Sequence, residues 1–214
     1  MSRWEHIVWD WNGTLLADTH VCVEVLNELL AERGLEPMTP ERYRETFDFP
    51  VIEFYRSLGF PADRPTFEAT SHEFISRYAR RSADCPLHDG AAELLHGLAS
   101  DAFGQTVLSA AKQDALEQAI HAHGLARCFR HLVGAIDIYA HGKEEHGVAW
   151  LRETRLDPDG VVLVGDTLHD HKVAEAMGVR CVLVAHGHHS RERLETTGRP
   201  VVEGFAELGE WLGR

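Results

Sequence analysis

Lysine is nearly missing from this chain. Of 214 residues, 21 are lysine or arginine, and only Lys112, Lys143 and Lys172 are lysines. No run of basic residues occurs, and the formal charge is −13. Nucleic acid and anionic membrane surfaces are therefore poor partners. Cysteine is sparse too. Cys22, Cys85, Cys128 and Cys181 lie far apart with no C-x-x-C pair. That spacing argues against a zinc site or a disulfide framework, and reduced thiols in the cytoplasm are expected. No apolar window reaches membrane-spanning length, and Glu5 and His6 sit where a signal peptide needs an apolar core. The fifteen histidines form no H-x-x-x-H pair set among other zinc-type ligands.

What is present reads as an ordinary globular chain, 44% hydrophobic and 26% charged. It is long enough for one domain with an insertion, or two small ones. Residues 6–10 form an apolar run ending at Asp10, followed by Trp11-Asn12-Gly13-Thr14. Helical periodicity then takes over. Helices are expected over 18–34, from Thr39-Pro40, over 51–58 and over 66–81, with Phe49-Pro50 as a breaker. No strand pattern interrupts residues 17–84, so this block predicts a helical bundle inserted after the first strand. Strands are then expected at 105–109, 131–134, 160–164, 180–184 and 201–202. Helices at 89–98, 112–123, 143–154, 170–177 and 205–212 alternate with them. That alternation predicts an α/β fold: a Rossmann-like, doubly wound parallel sheet with right-handed crossovers.

Four segments carry chemistry. Asp10 ends a buried strand, where open α/β sheets place ligand-binding groups. Gly13 lets the backbone turn closely there, and Thr14 adds a hydroxyl; an isolated turn of this kind is also a plain Asx turn. Ser109, followed by Ala110, ends the second strand. It suits either a phosphate site or the cap of the helix expected at Lys112. Lys143 opens a helix, which the macrodipole disfavours. Either an anion or the neighbours Glu144 and Glu145 would hold it. Asp166 and Asp170 stand four residues apart at a strand end and the helix behind it, an arrangement of hard oxygen ligands that suits Mg2+ or, more simply, a turn with a helix cap.

Taken together, Asp10-x-Asn12-Gly13-Thr14, Ser109, Lys143 and Gly165-Asp166-Thr167-x-x-Asp170 resemble, in order and spacing, the four signature motifs of the haloacid dehalogenase superfamily. The helical insertion is similar to that superfamily's C1-type cap, and the general likeness is to the phosphoglycolate phosphatase-like and β-phosphoglucomutase-like branch. The resemblance spans essentially the whole chain. It implies a core of residues 1–16 and 85–214, with a helical cap over 17–84 that closes by hinge motion near 16–18 and 84–87. It implies Asp10 as the nucleophile that becomes an aspartyl-phosphate. Mg2+ would be held by Asp10, Asp166 and the carbonyl of Asn12, with Asp170 supporting the metal site. Gly13, Thr14, Ser109, Ala110 and Lys143 would bind the phosphoryl group. Such a reaction is mostly positioning and charge neutralisation.

One departure stands out. Phosphatases of this superfamily carry an acid/base aspartate where this chain has Asn12, and an amide neither delivers nor accepts the proton. His20 and His169 are the first candidates to stand in for it, ahead of the His186-Gly187-His188-His189 cluster. No lysine precedes Lys112, so the cap supplies none for a phosphonatase-type Schiff base. The expected function is Mg2+-dependent hydrolysis of a small phosphorylated metabolite by a monomer or homodimer. The alternatives are a weakened, phosphometabolite- or partner-binding member and a dehalogenase-like hydrolase. The residues around 48–54 that would select the substrate carry no legible signature.

Overall fold

The computed structural model describes residues 4–61, 63–100, 103–136 and 142–213. A six-stranded, wholly parallel sheet runs in the order β3-β2-β1-β4-β5-β6. The strands are β1 (His6–Trp9), β2 (Gly104–Lys112), β3 (His131–Ala135), β4 (Val161–Gly165), β5 (Arg180–Val184) and β6 (Val201–Val202). Sequence order reverses between β1 and β4, so the crevice for a ligand falls outside the carboxyl ends of these two central strands. Asp10 and Asp166 each follow one of them, and the Asp10 N–H donates to the Val164 carbonyl at 2.9 Å.

Helices cover both faces: α5 (Ala91–Ser100), α6 (Gln113–Ala122), α7 (Lys143–Thr154), α8 (Leu168–Met177), α9 (Arg191–Glu195) and α10 (Phe205–Leu212). The strands alternate between two apolar layers, as the pleat demands. Ile7, Trp9, Val162 and Val164 pack on one side with Leu95, Leu116 and Phe205. Val8, Leu108 and Leu163 pack on the other with Trp150 and Val173. Between β1 and α5 lie the four helices α1 (Thr19–Glu32), α2 (Pro40–Thr46), α3 (Val51–Ser57) and α4 (Arg64–Ser82). They bury a separate cluster around Leu26, Leu29, Leu30, Tyr43, Phe54 and Tyr55. The chain enters and leaves this bundle side by side. Leu16 bridges Leu87, the Ala17 N–H donates to the Pro86 carbonyl at 2.9 Å, and the His88 N–H to that of Leu15 at 2.9 Å.

Three local expectations need correction. β2 continues to Lys112 rather than stopping at 109, because a register shift after Leu108 lets Lys112 pair with Ala135; α6 starts one residue late as a result. α8 begins at Leu168, not at Asp170. Its Thr167 cap accepts from the Asp170 N–H, and the Asp170 side chain answers the cap's own N–H, a reciprocal capping box. α9, five residues opened by the Ser190 cap, is too short to leave a periodic signal. Ala140 and His141, which precede α7, lie outside the described residues.

Candidate active site

The acid that ends β1 is the meeting point of the later motifs. Asp10 is buried, and Lys143 Nζ donates to its Oδ1 at 2.5 Å and to Asp170 Oδ1 at 2.6 Å. Lys143 is itself buried, so the two aspartates, not Glu144 or Glu145, hold it against the helix dipole. Thr14 Oγ1 donates to Asp166 Oδ1 at 2.6 Å and reaches Asp10 Oδ2 at 3.3 Å. Asp166 Oδ2 accepts from the His188 N–H at 2.6 Å. Asp170 Oδ2 collects the N–H groups of Asp166 and Thr167 and the Thr167 hydroxyl, at 3.1, 3.0 and 2.6 Å. The close turn at Gly13 has φ +74°, and a Cβ there would sit 2.4 Å from both Asp166 Oδ2 and His188 Cδ2. Only glycine fits.

One carboxylate oxygen from each of Asp10, Asp166 and Asp170 lies within 4.8 Å of the others. Charge accounting explains what this cluster wants. Four buried carboxylates, Asp10, Asp18, Asp166 and Asp170, face two buried cations, Lys143 and His188. Burial, with Asp170 and Asp166 nearby, pushes the Asp10 carboxyl up to about 8 despite Lys143. Burial likewise raises Asp166. For Asp170, burial works in the same direction, but Lys143 outweighs it and the carboxyl is held low. Lys143 and Asp170 thus form the standing ion pair, and Asp10 and Asp166 are left short of positive charge. A hard divalent cation ligated by oxygen fits that donor set and that deficit.

The remaining sequence candidates are placed unequally. Ser109 is buried at the carboxyl end of β2, where its Oγ accepts from the Ala111 N–H at 3.0 Å rather than capping α6. Ala110, Ala111, Thr167 and His169 line the cavity that opens on Asp10, Asn12 and Lys143. Burial lowers His169 to about 4, with Lys143 adding to the effect. His20 is exposed on α1, not in the cleft. That expectation fails because His20 lies on the outward face of a helix whose Val21, Val25 and Leu29 point inward.

Asp18 and Tyr78, which the sequence left unread, complete the site together with His188, a member of the histidine cluster ranked behind His20 and His169. Asp18 is fully buried. Its Oδ1 accepts from the Gly13 N–H at 2.7 Å, and its Oδ2 accepts from Asn12 Nδ2 at 2.9 Å and from the Tyr78 hydroxyl at 2.5 Å. Asn12 Nδ2 also donates to Tyr78 Oη at 2.6 Å. His188 Nε2 lies 3.6 Å from Asp18 Oδ1, and its Nδ1 is 3.2 Å from the Tyr43 hydroxyl. Burial disfavours the imidazolium, but Asp18 and Asp166 outweigh it and raise His188 to about 9. The Asn12 amide is therefore a fixed strut between the β1 loop and Tyr78 of α4. Asp18 reads in sequence only as a helix start, and Tyr78 only as part of an apolar stripe; neither hydroxyl nor carboxylate partner had a spacing signal.

Residues 7–184 match the haloacid dehalogenase-like hydrolases, and the chain belongs to that family. A phosphoglycolate phosphatase of Rhodospirillum rubrum is 28% identical, over 97% of this chain and 90% of the relative. An N-acetylmuramic acid 6-phosphate phosphatase of Pseudomonas putida is 26% identical, over 94% and 92%. A haloacid dehalogenase-like hydrolase structure from Streptococcus pneumoniae has a TM-score of 0.83 at 16% identity, covering 99% of both chains, a likeness of fold. Both of these sequence relatives are phosphatases, one of them a phosphoglycolate phosphatase.

Proposed function

We propose that the protein hydrolyses a small phosphate monoester with the aid of Mg2+, through an aspartyl-phosphate on Asp10. The observation that carries this reading is the placement of Asp10: a buried carboxylate at a central strand end, paired with Lys143, beside Asp166 and at the mouth of a cavity. Asp10, Asp166 and the Asn12 carbonyl would hold the metal, and Asp170 would fix Lys143 behind it. When bound, Mg2+ would neutralise charge on the transferring phosphoryl group. Asp10 attacks phosphorus, and the P–O bond to the leaving alcohol breaks. Lys143 and the backbone N–H groups near Gly13, Thr14, Ser109 and Ala110 receive the phosphoryl oxygens. Water then attacks the acyl phosphate and releases orthophosphate.

The same reading divides the chain into a core of residues 1–16 and 85–214 and a cap of 17–84, hinged at the paired crossings beside Leu16 and Leu87. Hinge closure would exclude water during transfer. Closure is supported by contacts between α2 or the loop after it and the core: Arg193 Nη1 donates to the Phe47 carbonyl at 2.6 Å, and Arg44 Nε to that of Gly187 at 3.1 Å. All four cysteines are free and buried, as a reducing cytoplasm allows, and no described helix is long and apolar enough to cross a membrane. A monomer or a homodimer satisfies this site, since every group named comes from one chain.

A second reading, a member that binds phosphorylated ligands but turns them over slowly, is favoured by the pinned amide of Asn12. Carbon–halogen hydrolysis has less support, because the Lys143, Asp166 and Asp170 constellation serves phosphoryl chemistry. Turnover of p-nitrophenyl phosphate with and without Mg2+ separates the three. Metal-dependent turnover is expected. Tight binding without turnover would move the assignment to the second reading, and metal-independent halide release from a haloacid to the third.

A further inference from the structure

The cavity above Asp10 is walled by aromatic rings. Tyr43, Phe47, Phe49, Phe54, Phe74 and Tyr78 all line it. The rings hold one another: Tyr43 stacks on Phe47 at 5.0 Å between centroids, and Phe47 meets Phe49 and Phe54 edge-on at 5.3 and 5.2 Å. Phe49 also lies against His169 at 4.7 Å, which ties the aromatic wall to the catalytic end. What the wall lacks is equally specific. Among the described lining residues, the only basic side chains are Lys143, His169 and His188. Lys143 is held by Asp10 and Asp170 at the end that takes the phosphoryl group, not the organic part, and His188 faces Asp18. His169 is held neutral by burial. No arginine is among the described lining residues, and three of the inserted segment have acidic partners of their own. Arg33 pairs with Glu73, Arg77 with Glu32, and Arg81 with Glu28. A substrate whose organic part carries a carboxylate or a second phosphate would leave that charge desolvated and unpaired.

A second observation points the same way. Asn12 lines the cavity beside Asp10, and its amide, committed to Asp18 and Tyr78, is no acid that could protonate a leaving oxygen. An alkoxide leaves poorly without that proton. A phenolate, whose conjugate acid has a pKa of about 10 rather than about 16, leaves without one.

We propose that the substrate class is an aryl phosphate monoester, its uncharged ring lodged among the aromatic side chains and its oxygen departing as the phenolate. The electron pair of the breaking P–O bond stays on the phenolic oxygen, which takes a proton from solvent afterwards. Asp10 carries the phosphoryl group until water removes it as orthophosphate. This deepens the phosphatase reading and depends on it for the turnover arm alone.

The test has two arms. In the first, phenylphosphonate and phosphonoacetate are titrated against the Mg2+-loaded protein by calorimetry, which reads the cavity without chemistry. Phenylphosphonate should bind at least about tenfold more tightly, the effect of one ring contact against an unpaired charge. Equal or weaker binding of phenylphosphonate, or no binding of either, overturns the proposal. Ile75→Arg, at another lining position on α4, should narrow or invert the preference by giving the carboxylate a partner. An unchanged preference in a folded variant also overturns it. In the second arm, kcat/KM for phenyl phosphate should exceed that for phosphoglycolate and glycerol 3-phosphate by about 10²-fold or more, the scale of a missing acid. Faster turnover of phosphoglycolate overturns the proposal. Preferential phenylphosphonate binding with no turnover of any ester supports the ligand class and overturns the hydrolase reading instead.

Discussion

Restoring an acid at position 12 puts a carboxylate where the structure has a donor. In Asn12→Asp, an oxygen replaces the Nδ2 that lies 2.9 Å from Asp18 Oδ2; burial works against ionisation of Asp18, but His188 and Tyr78, with Asn12 itself, outweigh it and hold the carboxyl low. Losing the amide's bond to a charged partner costs about 1.5–3 kcal/mol. Two full charges at that spacing would add up to about 6 kcal/mol at an effective dielectric of about 20. The new carboxyl escapes most of that by keeping its proton. Its folded pKa is therefore raised above the unfolded value, and the penalty grows as pH rises from the unfolded value near 4 towards the folded one. Asn12→Ala loses the bond but adds no charge, so its deficit should be flat with pH. At pH 8 we expect Asn12→Asp to lie about 3 kcal/mol below wild type, a fall of roughly 6–12 °C in Tm for a chain of this length. The deficit should shrink to that of Asn12→Ala or less near pH 5. The same retained proton makes position 12 a general acid, so alkyl-phosphate turnover should rise by about 10²–10⁴-fold. The wild type should show a burst on p-nitrophenyl phosphate, with phosphorylated Asp10 seen by mass spectrometry, and the variant should not. Thermal scans of both variants from pH 5 to 9, with pre-steady-state kinetics, check this. An Asn12→Asp protein as stable as wild type at pH 8, or one whose deficit tracks Asn12→Ala at every pH, would refute the reasoning. Asn12-Gly13 is prone to deamidation, so peptide mass must first establish the amide.

Asp10→Asn should lower turnover by at least about 10³-fold, as loss of a nucleophile does. Its Tm in metal-free buffer at pH 8 should be no lower than wild type. A carboxyl raised by burial to about 8 costs stability progressively between its unfolded value and that pH, and the amide removes the cost; a large fall in Tm would contradict the accounting. Chelation should abolish turnover and Mg2+ should restore it. Mg2+ at about 100 times its Kd should raise stability by about 2.7 kcal/mol. Asp166→Asn should erase that thermal shift, and a variant that keeps the full shift would place the metal elsewhere. Buried His6, bonded to the Thr106 hydroxyl at 2.9 Å, is lowered by its burial to about 4. A depressed histidine leaves stability intact above about 6.5 and removes it as pH falls towards 4, by at most about 3 kcal/mol over that window. His6→Asn should flatten the acid limb of a Tm-versus-pH curve there, and an unchanged slope would show that His6 does not titrate in that range.

How much of this could be read beforehand follows from where each signal is stored. The sheet was legible because its strands are short apolar runs closed by turns, and because Asp10, Lys143 and Asp166 each mark a strand end or helix start, whereas Ser109 lies inside β2. Asp10, Lys143, Asp166 and Asp170 were foreseen as one cluster; Lys143 bonds Asp10 and Asp170, and a carboxylate oxygen of Asp166 lies within 4.8 Å of theirs. Asp18 and Tyr78 were not foreseen, and His188 was named only within a cluster ranked behind His20 and His169, since the three come from the start of α1, from α4 and from the loop after β5. No periodicity relates three such segments; only the folded chain does. The histidines show the same limit. His20 is a candidate because its chain position is near the first motif, but its helix phase turns it to solvent. The cavity wall was invisible for a related reason. Residues 48–54 were expected near the substrate but carried no legible signature, and Phe49 read only as part of a helix break; Phe47 meets both Phe49 and Phe54 edge-on. A ring that packs a core and a ring that lines a vacancy have the same hydropathy; what separates them is whether a neighbour fills the last face. Here the unfilled faces converge above a carboxylate, and no arginine is among the described residues that line the space. The missing charge therefore speaks to substrate choice as directly as the present ones speak to chemistry.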